Sequence, residues 1–276
     1  MNSSNPEPRA VQLTKDGRLK ADPVFVHGGE EVVFTMLESP TQMSLMRLKV
    51  TDGTVERLHP DATTSEFEPA FTPDGSLYCF VQNRANLNLK LVIRDTKQNK
   101  DSIYDPGGGF AGMRSPTIAP DGSRIVFSLA DATGQQLFAV DAQGRNRVNL
   151  TKTSLNNWPA FSPDGKQIAF GSSRDGHFEI YVMDADGGNV RRLTKSNALN
   201  IRPAWSPDGK RIAFTSNRDG KYSIHYMDAD GANEYPLIPS RERQDYPSWH
   251  PDDKRLVWVG ERAGRSDLYL IEIEVQ

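Results

Sequence analysis

The stretch RPAWSPDGKRIAF at residues 202–214 contains a proline, an aromatic residue, a Pro-Asp-Gly turn and an alternating apolar segment. Residues 158–170, WPAFSPDGKQIAF, repeat it almost position for position. In such a turn proline presets the first φ angle, Asp hydrogen-bonds its own backbone, and Gly accepts the left-handed conformation. The stretch therefore predicts a β-hairpin, in which a strand A leads through a tight turn into a strand B.

The proline that opens this stretch recurs six times along the chain, at intervals of 43 to 47 residues. Repeats of about 40 to 45 residues that hold four short strands are typical of β-propeller blades. The sequence therefore predicts an all-β fold, a six-bladed β-propeller with four antiparallel strands per blade. The six prolines that mark the blades are Pro23, Pro69, Pro116, Pro159, Pro203 and Pro247.

The two ends of the chain predict how the ring closes. Residues 11–14, Val-Gln-Leu-Thr, are similar to a fourth strand, and they end nine residues before Pro23, as Thr194 does before Pro203. The chain stops at Gln276, soon after the third strand of blade six. We expect the N-terminal segment to complete the last blade, which removes open sheet edges. The expected organisation is a disordered tail over residues 1–9 and one propeller domain over residues 10–276.

Composition narrows the class of protein. The formal net charge is −3, with both signs interspersed, so there is no basic stripe for nucleic acid. Cys79 is the only cysteine, and we expect it to be a small buried hydrophobe. No apolar run reaches the length of a membrane helix, and no export signal is visible, so we expect no membrane insertion. The sequence predicts a cytoplasmic monomer, or a periplasmic one if an export signal has been removed.

The loops that join strand D to strand A are the expected binding surface. The A–B and C–D turns repeat as Pro-Asp-Gly and Asp-Ala-Asp-Gly, as structural turns do, whereas the D–A loops differ from blade to blade. Their charges and aromatic rings could hold a peptide or a small polar ligand at the channel mouth, or could only solvate its rim. The candidates are Glu66, Phe67, Glu68, Arg114, Asn157, Trp158, Arg202, Arg243, Asp245 and Tyr246, and Lys20, Asp22, Met113 and Asn200 lie in the same loops.

Two loops differ most from the others. Residues 105–112, DPGGGFAG, are rich in glycine, which is consistent with a mobile flap that carries Phe110 over the channel or with a flexible connector. Residues 239–246, PSRERQDY, concentrate charge, which is typical of a solvated loop.

Metal and catalytic signals are absent from the sequence. The five histidines occupy different repeat positions, and the Asp-Ala-Asp-Gly runs lack the later Glu of a calcium loop. There is no Gly-x-Ser-x-Gly elbow and no His-Glu-x-x-His pair. We therefore predict no cofactor, no metal and no catalytic residue, although Glu66, Glu68 and Asp245 could still form a hydrolytic site.

The repeat resembles that of the TolB-type six-bladed propeller, built from WD40-like PD40 repeats. The resemblance rests on Ser-Pro-Asp-Gly-Lys, Ser-x-Arg-Asp-Gly and Met-Asp-Ala-Asp-Gly in blades four and five and on Arg-Leu-Thr in blade four, and it extends over residues 11–273. In that family the propeller follows a small α/β domain, which has no counterpart in this sequence. The family is periplasmic and binds a peptidoglycan-associated lipoprotein and other proteins of the Tol envelope system.

The same repeat is similar to propellers of some peptidases and of oligogalacturonate lyases, so the resemblance implies a fold more than a function. We expect a non-catalytic propeller that binds a protein or peptide at the channel mouth. The alternative is a lyase or hydrolase that acts on a carbohydrate or a small polar substrate at the same face.

Overall fold

The computed structural model describes residues 10–83, 88–107, 112–238 and 242–273. The expected tail over residues 1–9 and the expected flap residue Phe110 lie outside these ranges. The described residues form 24 strands in six four-stranded antiparallel sheets, and one short 3-10 turn at His27–Gly29. The predicted six-bladed propeller is confirmed. The described residues contain no helix that is long and apolar enough to span a membrane.

The strands of the first three blades follow a short N-terminal strand, β1 (Val11–Gln12). Blade one contains β2 (Lys20–Val26), β3 (Glu31–Ser39), β4 (Gln42–Lys49) and β5 (Val55–Arg57). Blade two contains β6 (Ser65–Phe71), β7 (Leu77–Asn83), β8 (Leu89–Asp95) and β9 (Lys100–Tyr104). Blade three contains β10 (Arg114–Ile118), β11 (Arg124–Asp131), β12 (Gly134–Asp141) and β13 (Val148–Asn149).

The last three blades repeat the pattern. Blade four contains β14 (Asn156–Phe161), β15 (Gln167–Ser172), β16 (Glu179–Asp184) and β17 (Arg191–Arg192). Blade five contains β18 (Asn200–Trp205), β19 (Arg211–Ser216), β20 (Ser223–Asp228) and β21 (Tyr235–Pro236). Blade six contains β22 (Arg243–Trp249), β23 (Arg255–Arg262) and β24 (Arg265–Glu272), with β1 as its fourth strand.

The A strand of each blade contacts the A strands of both neighbouring blades, so these six strands surround the central channel. The blades pack by placing large side chains of one sheet on small side chains of the next. Ala169 of blade four packs on Ile212 and Phe214 of blade five. Ala213 on the opposite face of blade five packs on Trp258 of blade six. The alternation of large and small residues along strand B therefore has a direct packing cause.

The ring closes where the sequence predicts. Strand β1 pairs antiparallel with β24, with Val11 opposite Leu270 and Gln12 opposite Tyr269. The Leu13 N–H adds a bond of 2.8 Å to the Leu268 carbonyl oxygen. The fourth strand of blade six is thus the N-terminal strand β1, and its pairing with β24 closes the ring.

A buried polar cluster around Asp267 joins the two chain ends. Its carboxylate accepts bonds from the Thr14 hydroxyl at 2.9 Å, the Gln12 amide at 3.2 Å and the Gly17 N–H at 3.2 Å. The ammonium of Lys20, whose side chain is fully buried, lies 3.5 Å from the same carboxylate. Lys20 therefore belongs to the closure and takes no part in the channel mouth.

We expect Asp267→Ala to destabilise the protein by roughly 2 kcal/mol, because it removes the acceptor of the buried Thr14 hydroxyl and one of the two carboxylates beside the buried Lys20 ammonium. Urea unfolding followed by circular dichroism measures the change. The matched control is Glu272→Ala, an exposed position on the same strand, which should change stability by less than about 0.5 kcal/mol. Equal stabilities of the two variants would show that this cluster does not secure the ring.

Candidate functional site: the mouth of the central channel

A β-bulge occurs at the same place in all six A strands. In blade one Ala21 pairs with Thr35 and Val24 pairs with Val33, so Asp22 and Pro23 together lie opposite the single residue Phe34. The other five blades show the same register shift at their Pro residue. Proline suits this position because it has no N–H to offer to the ladder.

The residue opposite the bulge is always a buried aromatic, eleven positions after the proline. The six are Phe34, Phe80, Phe127, Phe170, Phe214 and Trp258. None is more than 2% exposed. Each bulge is thus placed against a rigid side chain of the blade core.

The residue before each proline adopts a left-handed backbone conformation, with φ between 51° and 57°. None of the six is glycine, and a residue before proline ordinarily favours extended backbone, so each position stores strain of about 1–3 kcal/mol. Together with their prolines, the six residues line one cavity of about 130 Å³ at the channel. We call them the pre-proline ring: Asp22, Glu68, Ser115, Trp158, Arg202 and Tyr246.

These positions belong to strands, whereas the sequence predicted D–A loops. The A strands begin earlier than expected, at Lys20, Ser65, Arg114, Asn156, Asn200 and Arg243. The difference arises because strand A pairs with strand B on both sides of the bulge. The mouth is consequently built on sheet backbone.

One half of the mouth is a stack of a cation between two aromatic rings. The Arg202 guanidinium lies 4.2 Å from the centre of the Tyr246 ring and 5.2 Å from that of Trp158. It donates to the Tyr246 hydroxyl at 3.2 Å. Its Nε–H is buried and has no acceptor among the described residues. Burial raises the pKa of Tyr246 to about 12, and the nearby Asp22 carboxylate adds to the effect, so the phenol stays neutral.

Asp245 lies beneath this stack and fixes it. Its carboxylate accepts bonds from Arg202 Nη1 at 3.2 Å, Arg243 Nη2 at 3.1 Å and the Thr215 hydroxyl at 3.0 Å. The Tyr246 N–H adds a fourth bond at 2.9 Å. Because the Asp245 carboxylate is buried and already accepts four hydrogen bonds, its role is to hold Arg202 in place.

The other half of the mouth is acidic and less completely bonded. The Glu68 carboxylate accepts the Ser115 N–H at 2.7 Å, and the half-exposed Arg114 lies 4.0 Å away. Asp22 receives one long bond of 3.5 Å from the Thr35 hydroxyl, and it forms no ion pair within the part of the chain that the structure describes. The Thr35 hydroxyl also accepts the Glu68 N–H at 3.0 Å, which links the two acidic positions.

The acidic half holds two carboxyls of raised pKa. Burial and, second, the Glu68 carboxylate raise the pKa of Asp22 to about 8, and Arg202 opposes the shift. Burial also raises the pKa of Glu68, against the favourable charge of Arg114. Asp22 therefore holds a proton at neutral pH unless a cation approaches it.

The structure brings together only part of the predicted site. Glu68, Trp158, Arg202 and Tyr246 lie in the ring, and Arg114 and Asp245 contact it. Ser115 also lies in the ring but was absent from the predicted set, and the position before each repeated proline is the signal that identifies it. Arg243 lies outward of Asp245 and pairs with Glu261.

Glu66, Phe67 and Asn157 lie away from the mouth cavity. Glu66 is buried and its carboxylate lies 2.6 Å from His59 Nδ1. Phe67 is 7% exposed and packs in the core between blades two and three. Asn157 pairs with Gly171 in the sheet of blade four. Residues just before the bulge alternate normally, and their side chains are not turned to the channel.

No group of three or more His, Cys, Asp or Glu side chains within the described ranges is placed to hold a metal ion.

Asp22→Asn should stabilise the protein increasingly as pH rises from 4 to 8. The unfolded carboxyl loses its proton near pH 3.8, whereas the folded one keeps it to about pH 8. Between these values the native state holds the extra proton, so the stability of the parent protein falls with pH. Asparagine does not titrate, so its advantage should reach about 1–3 kcal/mol at pH 8 and disappear below pH 4.

Thermal unfolding of both proteins across this pH range measures the effect. The control is Asp186→Asn, at an exposed turn position, and its difference from the parent at each pH is the baseline for comparison. A constant difference for Asp22→Asn would contradict the raised pKa.

Known proteins with similar sequence or structure are also β-propellers. Residues 151–234 match the sequence model of the TolB beta propeller domain, PD40. No curated protein sequence matches the chain significantly.

Three solved structures illustrate the range of similar propellers. A putative TolB from Agrobacterium tumefaciens is 19% identical, with a TM-score of 0.76, over 98% of this chain and 100% of that one. TolB from Acinetobacter baumannii is 22% identical, with a TM-score of 0.73, over 90% of this chain and 65% of that one. An oligogalacturonate lyase from Vibrio parahaemolyticus is 13% identical, with a TM-score of 0.65, over 98% and 95% of the two chains. The chain shares its propeller fold with these structures, which include a lyase.

Proposed function

We propose that this propeller binds a protein partner by holding a projecting peptide segment at the mouth of its central channel. The observation that carries the proposal is the stack of Trp158, Arg202 and Tyr246, which faces Asp22 and Glu68 across one cavity. This arrangement offers a flat aromatic and cationic wall on one side and two carboxyls on the other.

The residue types in the stack favour protein recognition. Trp, Tyr and Arg supply most of the binding energy at typical protein interfaces, especially when they are already packed. Asp245 holds Arg202 before any ligand arrives, so little side-chain entropy is lost on binding. A cavity of about 130 Å³ admits a side chain or a chain end. The partner would therefore insert one projecting group.

The opposite face carries cavities of about 270 and 370 Å³ between neighbouring blades, but much of its turn chemistry is internal. In its A–B turns the Asp side chains bond within the turn itself. Asp164 accepts the Ser162 hydroxyl at 2.7 Å and the Lys166 N–H at 3.1 Å, and Asp208 does the same with Ser206 and Lys210. These groups are already used in holding the hairpins, which supports the mouth as the binding face.

Trp158→Ala and Arg114→Glu should each weaken capture of the partner at least tenfold, or about 1.4 kcal/mol. The first removes one wall of the stack, and the second reverses a half-exposed charge beside Glu68. The matched control for the charge is Lys166→Glu, on an exposed turn of the opposite face.

The measurement is affinity capture by the immobilised proteins, followed by titration of the captured partner. Cytoplasmic and periplasmic extracts are both used, because the sequence predicts the first compartment and the family resemblance implies the second. Thermal unfolding confirms that each variant is folded. Loss of the partner from Lys166→Glu, with both mouth variants unaffected, would place the binding face elsewhere.

A lyase or hydrolase acting at the same mouth is the second candidate. It is favoured by the two carboxyls of raised pKa, because an acid with a pKa of about 8 suits proton transfer near neutral pH. The structural similarity to an oligogalacturonate lyase adds a substrate class to test.

If this second candidate is correct, incubation with oligogalacturonate, with and without divalent cations, should yield unsaturated products with ultraviolet absorbance. Asp22→Asn should reduce the rate at least a hundredfold, since a positioned acid or base typically contributes that much. Product formation that is equal in the parent and in Asp22→Asn would exclude catalysis by this carboxyl.

A further inference from the structure

We infer that the group held in the mouth is the free N-terminus of a peptide, with its ammonium on Asp22 and Glu68 and its first carbonyl oxygen toward Arg202. This inference rests on the proposed function and specifies its ligand. It follows from two residues that line the same cavity: Asp22, whose carboxyl has no cation, and Arg202, whose Nε–H has no acceptor among the described residues.

The acidic side lacks a cation. Asp245, the nearest other buried carboxylate, has four donors, and Glu68 has a backbone donor with Arg114 nearby. Asp22 has one long hydroxyl bond, and no Lys, Arg or His of the described chain pairs with it. An ammonium carries three donors and can reach two carboxylates together. Its arrival would replace the proton that burial otherwise keeps on Asp22.

The opposite side lacks an acceptor. Arg202 directs its Nη1 and Nη2 groups to Asp245 and Tyr246, while its buried Nε–H has no acceptor within the described residues. A buried donor without a partner costs about 1–3 kcal/mol, so a ligand oxygen placed there would bind favourably.

A peptide N-terminus carries both missing groups. Its ammonium and its first carbonyl are attached to the same carbon, so they can face the two sides of a cavity of about 130 Å³. A lysine side chain supplies the ammonium alone. A C-terminal carboxylate could accept from Arg202, but it brings no cation to Asp22 and Glu68.

The rest of the ligand has a route away from the mouth. A second cavity of about 200 Å³ lies on the other side of Tyr246, between blades six and one. Leu19 and Val259 give it an apolar surface, and Arg243 and Glu261 give it polar groups for a peptide backbone. Leu19 is 51% exposed, so its side chain is accessible to a ligand in this cavity. We assign this groove to the residues that follow the bound terminus.

The probe is a synthetic library of short random-sequence peptides, prepared as two halves, one with free N-termini and one N-acetylated, all amidated at the C-terminus. The protein is immobilised and the retained peptides are counted by mass spectrometry. The parent protein should retain free peptides over acetylated ones by at least about tenfold. The double variant Asp22→Asn/Glu68→Gln keeps the size of both side chains, and thermal unfolding checks that it is folded. It should lose this preference.

A matched double variant at exposed carboxyls, Asp186→Asn/Glu272→Gln, should keep the preference for free N-termini. Leu19→Asp should lower the total retained while the preference survives, and unchanged retention would overturn the assigned route. Equal retention of the two halves by the parent would overturn the terminal ammonium and leave peptide binding standing. Enrichment of lysine in both halves would assign the site to a side chain instead. Retention of neither half would overturn peptide binding itself, and the inference with it.

Discussion

The contact on which the molecule depends is the packing of a proline bulge against one buried aromatic residue, repeated in each blade. Two residues of strand A, the proline and its predecessor, lie opposite one residue of strand B. The aromatic side chain is part of the packed face between blades, so the bulge cannot relax without opening that face. The core therefore holds the preceding residue in its left-handed conformation and turns it toward the channel.

Ring closure converts six local bulges into one site. Each blade supplies a single residue to the mouth, so the cavity has a fixed shape only if the six A strands keep their places around the axis. The pairing of β1 with β24 and the cluster at Asp267 provide that restraint. A site built in this way is rigid, because its side chains stand on sheet backbone, and rigidity favours affinity by lowering the entropy lost on binding.

The fold could be predicted from the sequence because it repeats. The spacing of the prolines gave the number of blades, and the spacing of Thr14 before Pro23 gave the closure. The site was predicted less well, since Glu66 and Phe67 face away from the mouth and Glu68 faces it. A bulge adds one residue to a strand and so interrupts the alternation of side chains between its two faces. Hydrophobic periodicity alone does not show at which residue this interruption occurs. The repeated pair of a proline and an aromatic residue eleven positions later would have located the bulge in every blade.

The same backbone position carries Asp, Glu, Ser, Trp, Arg and Tyr in the six blades, and this variation separates function from fold. The proline and the aromatic residue are present in each repeat because the bulge needs them. The residue directly before the proline is free to differ. Its six identities divide the mouth into an acidic half and an aromatic, cationic half. A structural role alone would favour glycine at six left-handed positions and would not leave Asp22 without a cation. The strain and the unpaired carboxyl lower stability, which is the expected cost of a surface shaped for a ligand.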